Sequence, residues 1–297
     1  MSAGGRVPPD ELVRTLSAGG GIAVRAMVGT ALVADAAARH RTSPTASAAL
    51  GRALMGAALL ASGSAEGETV QLQLRGDGPL GCVTAIADCN GRVRGYASNP
   101  AAHPPPSGGR LAVGAAVGKG VLSVVRHHPR WREPYRGIVP LVAGTVGQDI
   151  AHYLAESEQT PSAVALGVFL TPSGGVEAGG GFLVQALPGA TDEELEQVEA
   201  NVHGFPGPGA LVRSGLGADA IVDRLLSGLG SRQRQRGQPL FYCSCGRDRA
   251  LRAIALLGRE ELHSAKSRGE ALEIRCEFCG ERYRVTSDEI GALLPDA

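Results

Sequence analysis

The sequence lacks any excess of charge of one sign. Its 29 lysine and arginine residues equal its 29 aspartate and glutamate residues, so the formal net charge at pH 7 is zero. Proteins that bind nucleic acid or anionic membranes through their overall charge are strongly basic. The composition therefore argues against both classes of partner, while it leaves a local basic patch open.

Long apolar runs are also missing. Residues 1–12 contain Pro8, Pro9 and Asp10 and no apolar core of the kind that a secretory signal requires. The most apolar stretch, residues 46–61, carries Arg52 and is shorter than the ~20 residues of a membrane span. We therefore expect a cytoplasmic protein that has no membrane partner.

Sequence motifs of conventional enzymes are absent. There is no G-x-S-x-G nucleophile elbow and no paired-carboxylate signature. Residues 114–120 end in Gly118-Lys119-Gly120, but the spacing is one residue too short for a phosphate-binding loop, and glycine replaces its serine or threonine. We predict a protein that is not an enzyme and whose Gly118 segment forms a turn or a tight strand crossing.

The order of the predicted elements indicates an α+β fold. Ser43 before Pro44 predicts the start of a long alanine-rich helix that ends near Gly63. The turn sequences Gly76-Asp77-Gly78-Pro79 and Asn90-Gly91 separate three runs typical of an antiparallel meander. Strands are predicted at residues 22–28, 70–75, 82–87, 92–98, 121–126, 162–170 and 181–187, and helices at residues 30–40 and 148–157.

The composition of the chain changes after Pro188 from predicted strands to short polar and amphipathic segments. Thr191 and Glu194 form a capping box that opens an acidic helix, and residues 218–229 form a second amphipathic segment. Residues 231–238 are polar and basic, and we predict that they are flexible. Isolated helices this short are marginal in water. The predicted domains are an N-terminal antiparallel-sheet and helix core at residues 1–187, a metastable helical linker at residues 188–238 and a small C-terminal four-cysteine zinc domain at residues 239–297.

Cysteine is scarce, but its distribution is informative. Six cysteines in 297 residues are far too few to replace a hydrophobic core with disulfides. Two stand alone in the first third of the chain, whereas four fall in the last fifth. In a reducing compartment such a cluster indicates metal binding or redox chemistry. The clustered residues are Cys243, Cys245, Cys276 and Cys279.

The spacing within each cysteine pair suits one metal ion. Cys243 and Cys245 follow residues 239–242, a predicted strand, in which a two-residue step would send both sulfurs to one face. Cys276-x-x-Cys279 followed by Gly280 is the tight turn that presents two thiolates to zinc. We predict one zinc ion per chain, bound by the four cysteines.

The same four thiols suit a redox switch. Zinc keeps cysteines as thiolates, which oxidants attack, and close spacing allows a sulfenic acid to condense with its neighbour. Zinc binding of ~10–16 kcal/mol rivals the stability of a whole domain, so oxidation would release the metal and unfold the module. The spacing fits an inert structural zinc ribbon equally well, but a strained Cys243–Cys245 ring would favour a labile bond.

Other candidate ligands and thiols are weaker. His127 and His128 are predicted in an exposed loop, and His263 on the surface of a helix, where four cysteines already complete a zinc shell. Cys82, in a predicted strand, is expected to be a small buried apolar residue. Cys89, in a predicted turn, is expected to be an exposed thiol.

The clustered motifs resemble those of the heat-shock protein 33 family. The C-terminal resemblance covers Cys243-Ser244-Cys245, residues 256–262, residues 276–280 and Tyr283. The N-terminal resemblance covers residues 76–81, 92–96, 117–120, 135–142, 157–163 and 179–185. Together these segments span most of the chain in order, whereas residues 101–110 and 127–133 look individual to this sequence.

This resemblance implies an ATP-independent holdase chaperone of the stress response that is inactive when it is reduced and zinc-bound. By the family pattern, oxidation pairs Cys243 with Cys245 and Cys276 with Cys279, zinc leaves, and the linker unfolds. Active homodimers then capture unfolding client proteins. The resemblance assigns no role to Cys82 or Cys89.

Two hypotheses from other classes remain open. A constitutive zinc ribbon could bind nucleic acid or a protein through Arg232, Arg234 and Arg236, although the many glutamates of the zinc module argue against nucleic acid as its partner. A thiol oxidoreductase is disfavoured because the C-x-x-C motif follows a strand and enters a glycine turn, instead of opening a helix that would lower a thiol pKa.

Overall fold

The computed structural model describes residues 6–293, so the first five residues of the segment considered for a secretory signal lie outside it. The chain divides into unit 1, Met1–Tyr242, and unit 2, Cys243–Ala297. Unit 1 contains two sheets with helices packed on them, and unit 2 contains a hairpin and three helices in its described part. The α+β prediction is confirmed. No described helix is both long enough and apolar enough to cross a membrane.

Unit 1 begins with two strands and two helices and continues through both sheets. In chain order its elements are β1 (Glu11–Leu16), β2 (Ile22–Val28), α1 (Thr30–His40), α2 (Pro44–Ala61), β3 (Thr69–Gly76), β4 (Cys82–Asp88), β5 (Arg92–Ala97), α3 (Val113–Val117), β6 (Gly120–His127), β7 (Tyr135–Pro140), α4 (Gly147–Glu156), β8 (Ser162–Leu170), β9 (Val176–Ala186), α5 (Asp192–His203), α6 (Pro208–Arg213), α7 (Ala218–Leu225), β10 (Gln235–Gly237) and β11 (Leu240–Phe241).

Helix α2 is the centre of the larger core. The Ser43 hydroxyl accepts a hydrogen bond from the Ala46 amide at 3.2 Å, and Pro44 occupies the first turn, as predicted. Its small residues allow close packing, because a Cβ at Gly51 would lie 2.5 Å from Val33 and one at Gly56 would lie 2.5 Å from Ile150. The alanine-rich run is therefore a buried helix.

The six-stranded sheet has the order β11-β5-β4-β3-β6-β7. The meander β3-β4-β5 is antiparallel, as predicted, and β11 adds to it in parallel. Sequence reasoning missed β7, at the opposite edge, where the exposed Ile138 interrupts the apolar pattern. It also missed α3, whose last residue is Val117.

The five-stranded sheet has the order β10-β1-β2-β9-β8 and buries both faces. Leu12, Met27 and Leu183 belong to the core around α2, whereas neighbouring residues of the same strands face the segment that follows β9. Residues 235–237 of the segment that we predicted to be flexible form strand β10. Strand β10 pairs with β1, because long-range ion pairs and backbone bonds replace the apolar pattern that the segment lacks.

The predicted linker helices form, with corrected ends. Thr191 and Glu194 make the predicted capping box, with the Glu194 amide donating to the Thr191 hydroxyl at 3.2 Å. Helix α7 ends at Leu225, and the predicted continuation to Leu229 is a turn. Helix α6 was not predicted, since glycine and proline dominate its approach.

Unit 2 has its own small core. Its described elements are α8 (Arg247–Ile254), α9 (Arg259–Ser267), β12 (Leu272–Arg275), β13 (Arg282–Val285) and α10 (Ser287–Leu293). Strands β12 and β13 form an antiparallel hairpin. The buried apolar residues of this core are Ile254, Leu262, Ala265, Val285 and Ile290.

Candidate metal centre

The first cysteine pair lies just outside regular structure. Strand β11 (Leu240–Phe241) is shorter than the strand predicted at residues 239–242, and Cys243 and Cys245 follow it, outside the strand. The ladder to β5 covers Leu240 and Phe241, and the last backbone hydrogen bond to β5 is from the Tyr242 amide to the Val93 carbonyl, at 2.8 Å. Both cysteines occupy irregular backbone that leads into α8, and both are partly buried.

The second pair occupies the turn of the β12–β13 hairpin. The Cys276 amide donates to the Glu281 carbonyl, and the Gly280 amide donates to the Cys276 carbonyl, each at 2.8 Å. Gly280 has a φ of 74°, a left-handed conformation that favours glycine. The predicted glycine turn thus forms, and it holds Cys276 and Cys279 on one side of the hairpin end.

The four sulfurs converge, although the two pairs are more than 30 residues apart in sequence. All four Sγ atoms lie within 4.8 Å of one another. Cys245 Sγ is 3.2 Å from Cys279 Sγ, and Cys243 Sγ is 3.8 Å from Cys276 Sγ. Zinc–sulfur bonds of ~2.3 Å in a tetrahedron place sulfurs about 3.8 Å apart, within this range. Four cysteine sulfurs at such distances fit a closed zinc site.

One further side chain contacts the sulfurs. The Tyr283 hydroxyl, on β13, lies 3.1 Å from Cys245 Sγ and donates to it when that sulfur is a thiolate. The sequence resemblance included Tyr283 but gave it no role. Its proximity depends on the hairpin register, which pairs Tyr283 with Ile274.

The surroundings of the cysteines shift their pKa values in opposite directions. Burial raises the pKa of Cys279 far above its ordinary value, and hydrogen bonds with Cys245 and Cys276 add to this rise. Burial also acts to raise the pKa of Cys245, but hydrogen bonds from Tyr283 and the other cysteines outweigh it and lower that pKa. The hydrogen bond to Cys245 raises the pKa of Tyr283, which keeps the phenol protonated as a donor. Cys245 is therefore the thiol most readily ionised among those with a resolved shift.

The hydrophobic core of unit 2 is too small to stabilise the folded unit by itself. Among the described residues, the buried apolar cluster of unit 2 contains five side chains, in a unit of 55 residues, a size at which a domain commonly needs a metal or disulfides. Two neighbouring leucines of unit 2 are open to solvent, Leu256, which is 88% exposed, and Leu257, which is 37% exposed. A metal that joins the two cysteine pairs would supply the missing stabilisation.

The other candidate ligands lie outside the sulfur cluster. His263 is exposed on α9, and His128 contacts the Glu66 carbonyl at 3.1 Å and the Trp131 ring. Cys82 lies in β4, half-buried, with its sulfur 3.6 Å from the Thr84 hydroxyl. Cys89 is also half-buried, less open than expected for a turn thiol.

The Gly118 segment does form a turn. Gly118 has a φ of 79°, and the Asp77 carboxylate accepts a hydrogen bond from the Lys119 amide at 2.7 Å. The Lys119 N–H group, which a bound phosphate would need as a donor, therefore already donates to a carboxylate.

A covered apolar face of unit 1 is the second notable feature. One face of the five-stranded sheet presents Val13, Val24, Phe182 and other apolar residues to α5, α6 and α7. The residues of α7 that contact it are almost wholly buried, and Phe205 packs edge-on against Phe182 with ring centroids 4.9 Å apart. If the segment that follows β9 detached, this apolar face would be exposed. The buried side chains that this segment contributes are Val198, Leu211, Val212, Ala218, Ile221, Val222, Leu225 and Leu226.

Comparison with known proteins gives a consistent result over nearly the whole chain. The family model described as "Hsp33 protein" matches residues 10–286. The 33 kDa chaperonin of Acaryochloris marina is 41% identical over 292 residues, which are 97% of this chain and 97% of that protein. The 33 kDa chaperonin of Symbiobacterium thermophilum is 42% identical over 283 residues, which are 95% of this chain and 96% of that protein.

A solved structure shares the fold. The crystal structure of the 33 kDa chaperonin, a heat shock protein 33 homolog, from Thermotoga maritima superposes with a TM-score of 0.90 and 31% sequence identity. The match covers 96% of this chain and 98% of that chain. The likeness therefore includes both units.

Proposed function

This chain belongs to the Hsp33 family, and from that membership and the cysteine geometry we propose that it is a redox-regulated, ATP-independent holdase chaperone. The observation that carries the proposal is the convergence of four thiols, within 4.8 Å of one another, in a unit with a very small core. The folded state of such a unit depends on whether its cysteines are reduced or oxidised. Oxidation of the sulfurs would therefore unfold unit 2.

In the reduced state we propose that Cys243, Cys245, Cys276 and Cys279 hold one zinc ion as thiolates. A bound zinc ion would supply a fixed link between the irregular segment before α8 and the hairpin turn. Tyr283 donates to Cys245 and orients it, as outer hydrogen-bond partners of metal ligands commonly do. The cysteines in this arrangement keep unit 2 folded.

Oxidation then removes the donors. An oxidant such as hydrogen peroxide converts one thiolate of a pair to a sulfenic acid, and the second thiolate displaces hydroxide from it to form a disulfide. Each disulfide releases two electrons from the sulfurs, and the peroxide takes them up as it is reduced to water. We propose the pairs Cys243–Cys245 and Cys276–Cys279. Sulfenic-acid and disulfide sulfurs are both poor zinc ligands, so unit 2 begins to lose its main stabilisation when the first thiolate is oxidised.

Client binding follows from exposure of the covered face of unit 1. We propose that residues 188–238 act as a linker that detaches when unit 2 unfolds, since the chain passes directly from β11 to Cys243. The uncovered face around Val13, Val24 and Phe182 is apolar and extended, as a surface for unfolding proteins must be. Capture requires no catalytic step. A homodimer in the oxidised state and a cytoplasmic location remain predictions.

The geometry disfavours the nucleic-acid alternative. Arg234 pairs with Asp219 at 2.7 Å and also with Asp223, and Arg236 pairs with Glu11 at 2.6 Å and with Asp219 at 2.7 Å. Arginines that are already neutralised by carboxylates contribute little to phosphate binding. No observation raises this alternative above the chaperone.

The test follows zinc and chaperone activity together. Reduced and peroxide-treated protein are compared at mild heat, with released zinc read by a colorimetric chelator and aggregation of a thermally unfolding client read by light scattering. We expect zinc release and suppression of aggregation only after oxidation, and peptide mapping should find the two proposed disulfides. Zinc retained by an active protein, or lost without activity, would overturn the proposal.

Two double variants separate the cysteine groups. Cys243→Ser/Cys245→Ser should lose zinc and the normal response to oxidant. The matched control Cys82→Ser/Cys89→Ser changes the two cysteines of unit 1 and should respond as the wild type does. If the control lost its response instead, the switch would lie in unit 1.

A further inference from the structure

A cavity of about 360 Å³ lies in unit 1 where the end of the linker meets the five-stranded sheet. One side is formed by β1, β2 and Gly63, two residues after the end of α2, and the other by Arg232, Gln233 and Gln235. Its volume falls within the ~300–1,000 Å³ of small-molecule sites. The lining residues include Arg14, Arg25, Gly63, Arg232, Gln233 and Gln235.

Three arginines from separate segments line this cavity. Arg14 and Arg25 lie directly opposite each other in the β1–β2 ladder, and Arg232 comes from the linker. Gly63 leaves the space that the Arg25 guanidinium fills, and Gly20 does so for Arg232. The backbone is thus shaped around these guanidinium groups.

The hydrogen-bond partners of these arginines are neutral. Arg14 donates to the Ser62 carbonyl, and Arg25 donates to the Gln185 side-chain oxygen at 2.6 Å. Arg232 donates to the Ala18 and Gly19 carbonyls at 3.2 and 3.1 Å. Within residues 6–293, none of the three forms a contact ion pair with a carboxylate.

The nearby carboxylates are engaged elsewhere. Glu158 and Glu68 pair with Arg126, at 2.9 and 3.5 Å, and Glu194 accepts from the Ser17 hydroxyl at 2.5 Å while it also attracts Arg232. Burial lowers the pKa of Arg25 to about 10, and repulsion from Arg126 and Arg14 adds to this, partly opposed by Glu158. The cavity thus concentrates positive charge that an anion would stabilise.

We propose that this cavity binds a small phosphate-bearing anion through Arg14, Arg25 and Arg232. Guanidinium groups present paired N–H donors that match phosphate oxygens, and three of them from different segments favour a multiply charged ligand. Because the ligand would touch both the sheet and residues 232–235, it would hold the end of the linker in place. By holding the linker in place, the anion would oppose activation of the chaperone. That consequence rests on the proposed function, whereas binding of the anion to the cavity does not.

The experiment uses the reduced, zinc-loaded full-length chain. Isothermal titration with inorganic phosphate and with tripolyphosphate, at constant ionic strength set by chloride, should show saturable binding of one ligand per chain, tighter for tripolyphosphate. Hydrogen exchange of residues 231–237 should slow when the ligand is bound, because the ligand stabilises the paired state. Saturable binding without slower exchange there would overturn the proposed position.

Variants complete the test. Arg232→Gln, at the exposed rim, should weaken tripolyphosphate binding about tenfold or more, as expected for one lost charge-assisted contact. Arg75→Gln, an exposed arginine of β3 outside the cavity, is the matched control and should bind as the wild type does. Absence of saturable binding, or equal losses in both variants, would overturn the proposal. No holdase assay is involved, so this outcome is independent of the proposed function.

Discussion

The substitution Ile221→Ala should activate the chaperone without oxidation. Ile221 lies on α7 with no solvent exposure and packs on the apolar face of the five-stranded sheet. Truncation of a fully buried isoleucine to alanine costs about 2–5 kcal/mol, because apolar contact is lost and a cavity remains. The loss falls on the docked linker, since the side chain is exposed once α7 detaches.

A loss of about 3 kcal/mol changes the ratio of docked to detached linker by roughly a hundredfold, since about 1.4 kcal/mol corresponds to a factor of ten. Amide exchange in α7 through local opening should accelerate by a similar factor, while exchange in β3 and β4 should not change. Light scattering of an unfolding client should show holdase activity in the reduced protein. A chelator assay should find zinc still bound.

Arg224→Ala supplies the control, because Arg224 is exposed on the same helix. It should leave exchange and repression unchanged. If Ile221→Ala accelerated exchange equally in α7 and β3, the linker would open only with the whole of unit 1. If α7 detached but the reduced protein stayed inactive, the covered sheet face would not be the client surface.

Three further predictions concern the metal, the tyrosine and the linker ion pairs. Removal of metal from reduced protein by a strong chelator should abolish the dispersed amide resonances of unit 2, because its core is small; retained dispersion would contradict this reasoning. Tyr283→Phe should raise the pKa of Cys245 and weaken zinc binding about tenfold, more at pH 7 than at pH 9, in a competition titration with a coloured chelator; unchanged affinity at both pH values would refute it. The hydrogen bond with Arg236 lowers the pKa of Asp219 in the folded protein. The Asp219 carboxylate therefore stabilises β10 fully at pH values above its unfolded pKa near 3.8, and this stabilisation is lost as the pH falls through the lower pKa of the folded state. Asp219→Asn should therefore speed exchange of residues 234–237 at pH 7, and a variant that matched the wild type there would show that the pairs contribute nothing.

Local signals in the sequence predicted much of unit 1. The Ser43-Pro44 start of α2 and the Thr191/Glu194 box depend only on neighbouring residues, and both form as predicted. Strand β10 could not be predicted in this way. Its three residues are exposed and none has an apolar side chain, and it is a strand because Arg236 reaches Glu11 and Asp219, which are distant in sequence.

In the cysteine cluster, too, some features follow from neighbouring residues and others from residues that are distant in sequence. The C-x-C and C-x-x-C spacings correctly predicted that sulfurs gather, because each spacing brings its own pair close together. Two of the sulfur contacts, Cys245 with Cys279 and Cys243 with Cys276, join different pairs and depend on the fold of unit 2. The contact of Tyr283 depends on hairpin register and has no local signature.

The sulfur contacts between the pairs bear on the order of events. In the folded unit all four sulfurs lie within 4.8 Å of one another, so proximity alone does not exclude disulfides between the pairs, such as Cys245–Cys279. Once unit 2 loses order, loop closure decides instead, and closing a loop of about 34 residues costs roughly 2 kcal/mol more than closing one of three or four. Sequence-adjacent disulfides are thus the products expected if the module unfolds before its disulfides become permanent. Adjacent pairing and linker release would then be two consequences of one unfolding step, which begins when the first thiolate is oxidised.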